Sequence, residues 1–180
     1  MQTTDIVEAN RPAPIALYAR FKALLDGVSW NYLVIPMRIA GFSVFMRSGL
    51  VKLDDWSSTL ALFADEYKVP VLPAALSAYM ATTIELGAST LMLLGLATRF
   101  AALSVIGMIA TIQIFVYPMA WPDHIQWLAF LIPILVWGPG RFALDTLVGR
   151  FREIAAYMKE FAAWAKKESD TILSDVVKHG

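Results

Sequence analysis

Four stretches of this chain are apolar for long enough to lie inside a lipid bilayer. In hydrocarbon, backbone N–H and C=O groups find no water, so a spanning segment must satisfy them itself, as a helix does. Such a helix needs about 20 mainly apolar residues. The segments run from Tyr32 to Val51, Pro73 to Leu96, Phe100 to Tyr117 and His124 to Trp137. The fourth is short and holds Pro133. It can extend back to Trp121 and on to Phe142; the alternative is a three-span chain with this segment re-entrant.

Composition agrees with the membrane. Of 180 residues, 58% are hydrophobic and 17% charged, against about 45–50% and about 25% in soluble domains. The length suits one compact unit. A formal net charge of +0 gives no reason to expect a nucleic-acid partner. The chain has no cysteine, so disulfides, thiolate metal sites and thiol redox chemistry are not its own. No cleavable signal is expected, because Asp5, Glu8, Arg11, Pro12 and Pro14 interrupt the first segment.

Lysine and arginine in the loops set an orientation. Arg11, Arg20 and Lys22 precede the first span, Arg99 lies between the second and third, and Arg141, Arg150, Arg152, Lys159, Lys166, Lys167 and Lys178 follow the fourth. The other side holds only Lys52 and Lys68, beside Asp54, Asp55, Asp65, Glu66 and Asp123. Both termini are therefore expected in the cytoplasm, with the loops at 52–72 and 118–123 outside. Leu17, Phe21, Leu24 and Val28 recur at helical spacing before the first span; Leu147, Phe151, Ile154, Met158, Phe161 and Ala165 do so after the last. Such stripes suit helices lying in the headgroup plane, or docking a partner. A shorter stripe, Trp56, Leu60, Phe63 and Tyr67, is expected over the bundle mouth as a lid or as packing.

An ionisable residue within a span costs about 2.5–3.5 kcal/mol at the centre on insertion scales, so it turns inward and finds a partner. The candidates are Arg38 and Arg47 in the first span, Glu85 in the second and Gln113 in the third. Glu85 lies fourteen residues before Arg99 and Gln113 fourteen after it, so both sit roughly 20 Å above that turn. Arg47 shares their level; Arg38 lies about 13 Å lower along its helix. Arg38, Gly41, Phe45, Ser48, Gly49 and Lys52 fall on one stripe, and Arg47 falls on the opposite face. One arginine is expected to bind Glu85. The other snorkels, bonds carbonyls or meets another chain. An ion pair that only fixes helix register is the bland reading; a polar pocket for protons or for a quinone carbonyl is the functional one.

Ala74, Ala78, Thr82, Glu85 and Ser89 make a small-residue face on the second span, with Gly107 and Thr111 doing similar packing in the third. His124, a hydrogen-bonded surface group on the bland reading, and Trp127 are placed at the outer mouth with Lys52. The other histidine, His179, is next to the C-terminus, so paired axial haem ligands within the bundle are missing. No metal site is expected, since no dense ligand motif occurs. Scattered methionines read as core, and no nucleotide-binding, zinc-protease or serine-nucleophile motif is present.

Several motifs together resemble the DoxX family. They are RIAGFSVFMRSGLVKL from Arg38, IELGASTLMLLGLATRFAAL from Ile84, and the closing GPGRFALD from Gly138. FADEYKVPVLP and FVYPMAWPDHIQW look like a branch with a longer outer loop. The similarity covers about residues 35–148. The resemblance implies a four-helix bacterial inner-membrane protein; some members are subunits tied to sulfur-compound oxidation with quinone reduction, or to membrane redox homeostasis. It carries over to Arg38, Lys52 and Glu85. Arg47 stands where many members have an apolar residue. Thiol chemistry, if any, would belong to a partner.

The expected fold is thus all-α: a transmembrane four-helix bundle over 31–145, an N-terminal segment with an amphipathic helix over 1–30, and a C-terminal amphipathic helix and tail over 146–180. Two functions stand side by side. One is a redox subunit near a quinone, with Arg38 or Arg47, Glu85 and Gln113 as polar centre. The other is a non-catalytic scaffold or small permease serving an extracytoplasmic or metal-handling partner. Lipid, a protein partner or a second copy are the expected neighbours.

Overall fold

The computed structural model describes residues 13–179. Asp5, Glu8, Arg11 and Pro12 lie outside it, as do the side chains of Ala165, Lys178 and His179. The described elements are helical. Helix α1 (Ala13–Asp26) buries no residue. Helix α2 (Trp30–Asp54) starts at Ser29, whose Oγ accepts from the Asn31 N–H at 3.3 Å. Helix α3 (Trp56–Leu62) and a π turn (Phe63–Tyr67) follow. Next comes one helical rod, Ala74–Leu94, made of α4 (Ala74–Thr83), a π turn (Ile84–Ala88) and α5 (Ser89–Leu94). Helix α6 (Thr98–Phe115), a 3-10 turn (Pro118–Ala120) and α7 (Trp121–Trp137) complete the bundle, and α8 (Leu144–His179) leaves it.

Helix α2 packs on the Ala74–Leu94 rod and on α7; α6 packs on the same rod and on α7. The four rods so close a ring around one core. Val34, Phe45, Met92, Val105, Ile109, Leu131 and Ile134 fill it. On α2 the buried residues are Val34, Arg38, Gly41, Phe45 and Gly49, the three-and-four spacing of one helix face. Gly49 is needed there because the π turn comes close: an added Cβ would meet the Leu86 side chain at 2.7 Å and Glu85 Cβ at 3.2 Å.

The outside of the bundle is apolar, with Ile39, Leu50, Tyr79, Phe100, Leu103, Ile114, Ile132 and Val136 exposed. A soluble bundle would carry polar groups there. Three stretches, Trp30–Asp54, Thr98–Phe115 and Pro118–Trp137, are long and apolar enough to cross a membrane. The fourth apolar stretch is the rod broken by the π turn. Pro36 and Pro133 sit inside α2 and α7 without ending them.

Candidate functional site

The polar residues of the bundle gather at two ends. At the end holding the Gly95–Arg99 turn, Arg38 reaches across the core to backbone carbonyls. Its Nε donates to Met92 O at 2.8 Å, Nη1 to Pro139 O and Phe142 O at 3.3 Å each, and Nη2 to Leu93 O. Met92 and Leu93 lie in the last turn of α5, where carbonyls are short of helical partners and Met92 O has the Gly95 N–H at 3.2 Å, so Arg38 caps that helix and ties it to the 138–143 loop. Gly95 makes room: with φ of 71°, a Cβ there would stand 2.5 Å from Ala143 Cβ and 2.7 Å from Arg38 Nη2. Asp145 locks the same turn. Its carboxylate accepts from the N–H groups of Ala97 and Thr98 at 2.8 and 3.0 Å and from Thr98 Oγ1 at 3.1 Å. These bonds hold Ala97 at a φ of 46°, a left-handed conformation that is costly for a residue with a Cβ. Asp145 was not among the residues singled out from sequence, though the GPGRFALD motif contains it.

At the other end a cavity of about 940 Å³ opens between α2, α4, α6 and α7 under the lid. Glu85 stands in its wall at 4% exposure. The π turn that carries Glu85 is a form frequent at functional sites. The partner of Glu85 is neither arginine. Lys52 Nζ donates to Glu85 Oε1 at 2.8 Å, and Ser48 Oγ donates to the same oxygen at 3.0 Å. Lys52 also donates to Ser48 Oγ at 3.0 Å. The expected arginine–Glu85 pair is thereby replaced. Arg38 is occupied by carbonyls at the far end, and Arg47 is exposed on the opposite side of the α2 stripe, lining the cavity with no hydrogen bond or ion pair among the described residues. Ser48, one turn before Lys52, was legible as part of the same stripe, but not its role.

Glu85 Oε2 is buried and has no hydrogen-bond partner; so is Ser77 Oγ, on the same cavity wall. Gln113 and His124 form a separate pair. Gln113 Oε1 and His124 Nδ1 are 2.6 Å apart, and Gln113 Nε2 donates to Pro118 O at 2.7 Å. His124 is 3% exposed, so it is a buried group and not a surface one. Its ring contacts Trp127 at 5.3 Å, and Trp127 meets Phe45 edge-on at 5.6 Å. Gly107 departs from its expected packing role. A Cβ there meets nothing within 4 Å, and the residue lines the cavity.

The lid uses the expected stripe. Trp56 lies against Tyr79 at 4.7 Å, Phe63 is buried, and Tyr67 stands edge-on to Tyr117 at 5.5 Å. Thr59 Oγ1 donates to Lys52 O at 2.9 Å, seating the lid on the end of α2. Tyr117 donates its hydroxyl to Glu66 Oε1, and this bond to a carboxylate raises the tyrosine pKa. Burial raises that of Tyr67, with the charge of Glu85 a smaller contribution. Asp55 caps α3 through Ser58; bonds from the Ser58 hydroxyl and N–H and from Ser57 lower its pKa to about 2. Among the described residues no three His, Asp or Glu side chains gather to hold a metal ion.

No curated protein and no solved structure shows significant similarity to the chain. Residues 33–118 match the sequence model of the DoxX family. The match spans α2, the lid, the Ala74–Leu94 rod and α6, and so includes Arg38, Lys52 and Glu85. With its apolar outer surface and helices able to cross a membrane, the chain is an integral membrane protein, and residues 33–118 of it are similar to the DoxX family.

Proposed function

We propose that the lid-covered cavity is the working site of a membrane redox subunit and takes a quinone-type molecule, with Lys52 and Glu85 at its polar end. The observation that carries this is Glu85: an ion-paired carboxylate, almost fully buried, whose second oxygen has no partner and which stands in the cavity wall. A volume of about 940 Å³ falls within the range of small-molecule sites, which are mostly apolar with a few convergent polar groups. Phe45, Met108, Ile109 and Trp127 supply the apolar wall. A bound quinone would supply a couple that takes up two electrons and two protons. The residues do the rest: Lys52 keeps one ammonium hydrogen without a partner among the described residues. Glu85 offers an acceptor beside it, so the pair can orient a polar head and pass a proton. With no cysteine in the chain, a thiol electron donor belongs to a partner.

The four-span reading, with the lid outside and the termini in the bacterial cytoplasm, rests on Arg99, Arg141, Arg150 and Arg152 lying towards the Arg38 end. The scaffold reading has its own observation: Phe151, Ile154, Met158 and Phe161 form an exposed stripe on α8, suited to a partner helix or a lipid surface.

The test is binding in lipid nanodiscs. Decylubiquinone should quench tryptophan emission saturably, and Trp127→Phe should remove most of the quenching. Gly107→Leu, which enters open space on the cavity wall, should weaken binding about tenfold without lowering the unfolding midpoint. Absence of saturable binding, together with co-purification of a partner lost on Phe151→Ser, would favour the scaffold.

A further inference from the structure

Resting on that cavity as a binding site, we infer that its ligand is recognised through a hydroxyl, which donates to Glu85 Oε2 and accepts from Lys52. A carboxylate can only accept hydrogen bonds. Glu85 Oε1 already takes Ser48 at 3.0 Å and Lys52 at 2.8 Å. Oε2 is buried, takes none, and belongs to a residue lining the cavity. A buried acceptor left unmade is costly, more so when charged. No side chain of the described residues meets the need. Arg47 lines the same cavity but makes no hydrogen bond to Glu85, Gln113 is engaged with Pro118 and His124, and Ser77 Oγ is itself without a partner.

A donor entering the cavity beside Glu85 would meet this need. A carbonyl oxygen or an ether accepts from Lys52 but leaves Oε2 bare. A hydroxyl serves both. The apolar walls ask for an apolar body behind it, and the rings of Phe45, Tyr67 and Trp127 favour an aromatic one. The ligand class is thus an amphipathic hydroxyl compound, a phenol or quinol before an aliphatic alcohol. Applied to a quinone couple, the site holds the reduced member more tightly, because only that member carries O–H groups.

The experiment is a binding series on the full-length wild-type protein in nanodiscs, read by tryptophan quenching. The probes are para-octylphenol, its methyl ether para-octylanisole, dodecanol, and decylubiquinol beside decylubiquinone. The phenol should bind at least about tenfold more tightly than the ether, and the quinol more tightly than the quinone. Dodecanol separates the two sources of a hydroxyl: it should beat the ether-capped probe only weakly, whereas binding equal to the phenol assigns the site to aliphatic alcohols. In Glu85→Gln the amide brings its own N–H, and the preference for phenol over ether should vanish while overall affinity survives. If that variant fails to fold, the wild-type phenol–ether ratio decides alone. Equal binding of phenol and ether with quinone still bound overturns this inference and leaves the cavity reading standing. No saturable binding of any probe overturns both.

Discussion

The two ends of the bundle use charge in opposite ways. At the Arg38 end, a guanidinium and a carboxylate direct all but one of their hydrogen bonds, that from Thr98 Oγ1, to main-chain groups of helix ends and turns. Among the described residues, no buried side-chain atom of Arg38 or Asp145 lacks a hydrogen-bond partner. At the lid end, Lys52, Ser48 and Glu85 bond one another on one side only, and the carboxylate keeps a buried oxygen without a partner. Both arrangements put ionisable groups inside the helical bundle. A charge whose partners are the backbone is building the fold. A charge left short of partners beside a cavity is available for chemistry. The two kinds should separate under mutation.

The largest effect is expected at Arg38. Arg38→Met removes the guanidinium from the carbonyls of Met92, Leu93, Pro139 and Phe142. The loss should be about 3–5 kcal/mol, in the range for breaking a buried charged network, measured as a lower unfolding midpoint in detergent. An Arg38→Met protein of wild-type stability that no longer binds the probes would break the comparison, because Arg38 would then belong to the ligand.

Next comes the ion pair. Lys52→Met or Glu85→Gln alone strands one partner at side-chain exposures of 12% and 6%, and each should cost about 2–4 kcal/mol. The double variant should recover a large part of that, since two apolar or neutral groups need no counter-charge. A double-mutant cycle measures the coupling. The sharpened contrast is this: the double variant folds but loses the phenol-over-ether preference, an uncoupling of stability from recognition that no Arg38 variant should show.

Much of the fold was legible because it rests on period and length. The α2 stripe, the apolar rods and the lid stripe are all patterns of spacing, and helix geometry converts spacing directly into faces. The resemblance also reached Arg38, Lys52 and Glu85. Partner choice was not legible. Depth put Arg47 level with Glu85, and helical phase turned it away; only the packed bundle shows that Lys52, one turn beyond Ser48, reaches back to the carboxylate. The π turn at Ile84–Ala88 is a further reason, since it shifts the phase of the rod after Glu85 and no regular 3.6-residue count anticipates it. Asp145 escaped notice because its role depends on a turn forty-seven residues away in the chain, and helix capping usually reads as local.

At the Arg38 end a smaller change should still act on the fold. Asp145→Ala removes three hydrogen bonds from the start of α6 and should cost about 1–2 kcal/mol, the size of a lost helix cap. Asp145→Asn keeps an oxygen for one N–H and should fall between. Probe affinity should not change in either variant. A change of more than about threefold in affinity at unchanged stability would mean the two ends are coupled.

The smallest effects belong to the lid, and they depend on pH. Tyr117 is hydrogen-bonded to Glu66 and its pKa lies above the ordinary 10.0. A raised folded-state value means the bond stabilises the closed lid fully below about pH 10 and fades as pH rises through the folded value. Asp55 runs the other way. Its pKa falls from 3.8 to about 2, so its cap on α3 contributes above about pH 4 and is lost as pH falls towards 2. The reporter is Trp56, which rests on Tyr79 at 4.7 Å. Its emission, isolated by difference against Trp56→Phe, should shift at both extremes and stay flat between them. Tyr117→Phe should remove the Glu66 bond and with it the alkaline shift, while Asp55→Ala should remove the acid one. Neither variant should move the unfolding midpoint as Arg38→Met does, because the lid covers the cavity and takes no part in the Arg38 and Asp145 bonds. A Tyr117→Phe protein that keeps the alkaline shift would assign it to Tyr67, whose pKa burial raises, and the Tyr117–Glu66 bond would then be packing and not a latch.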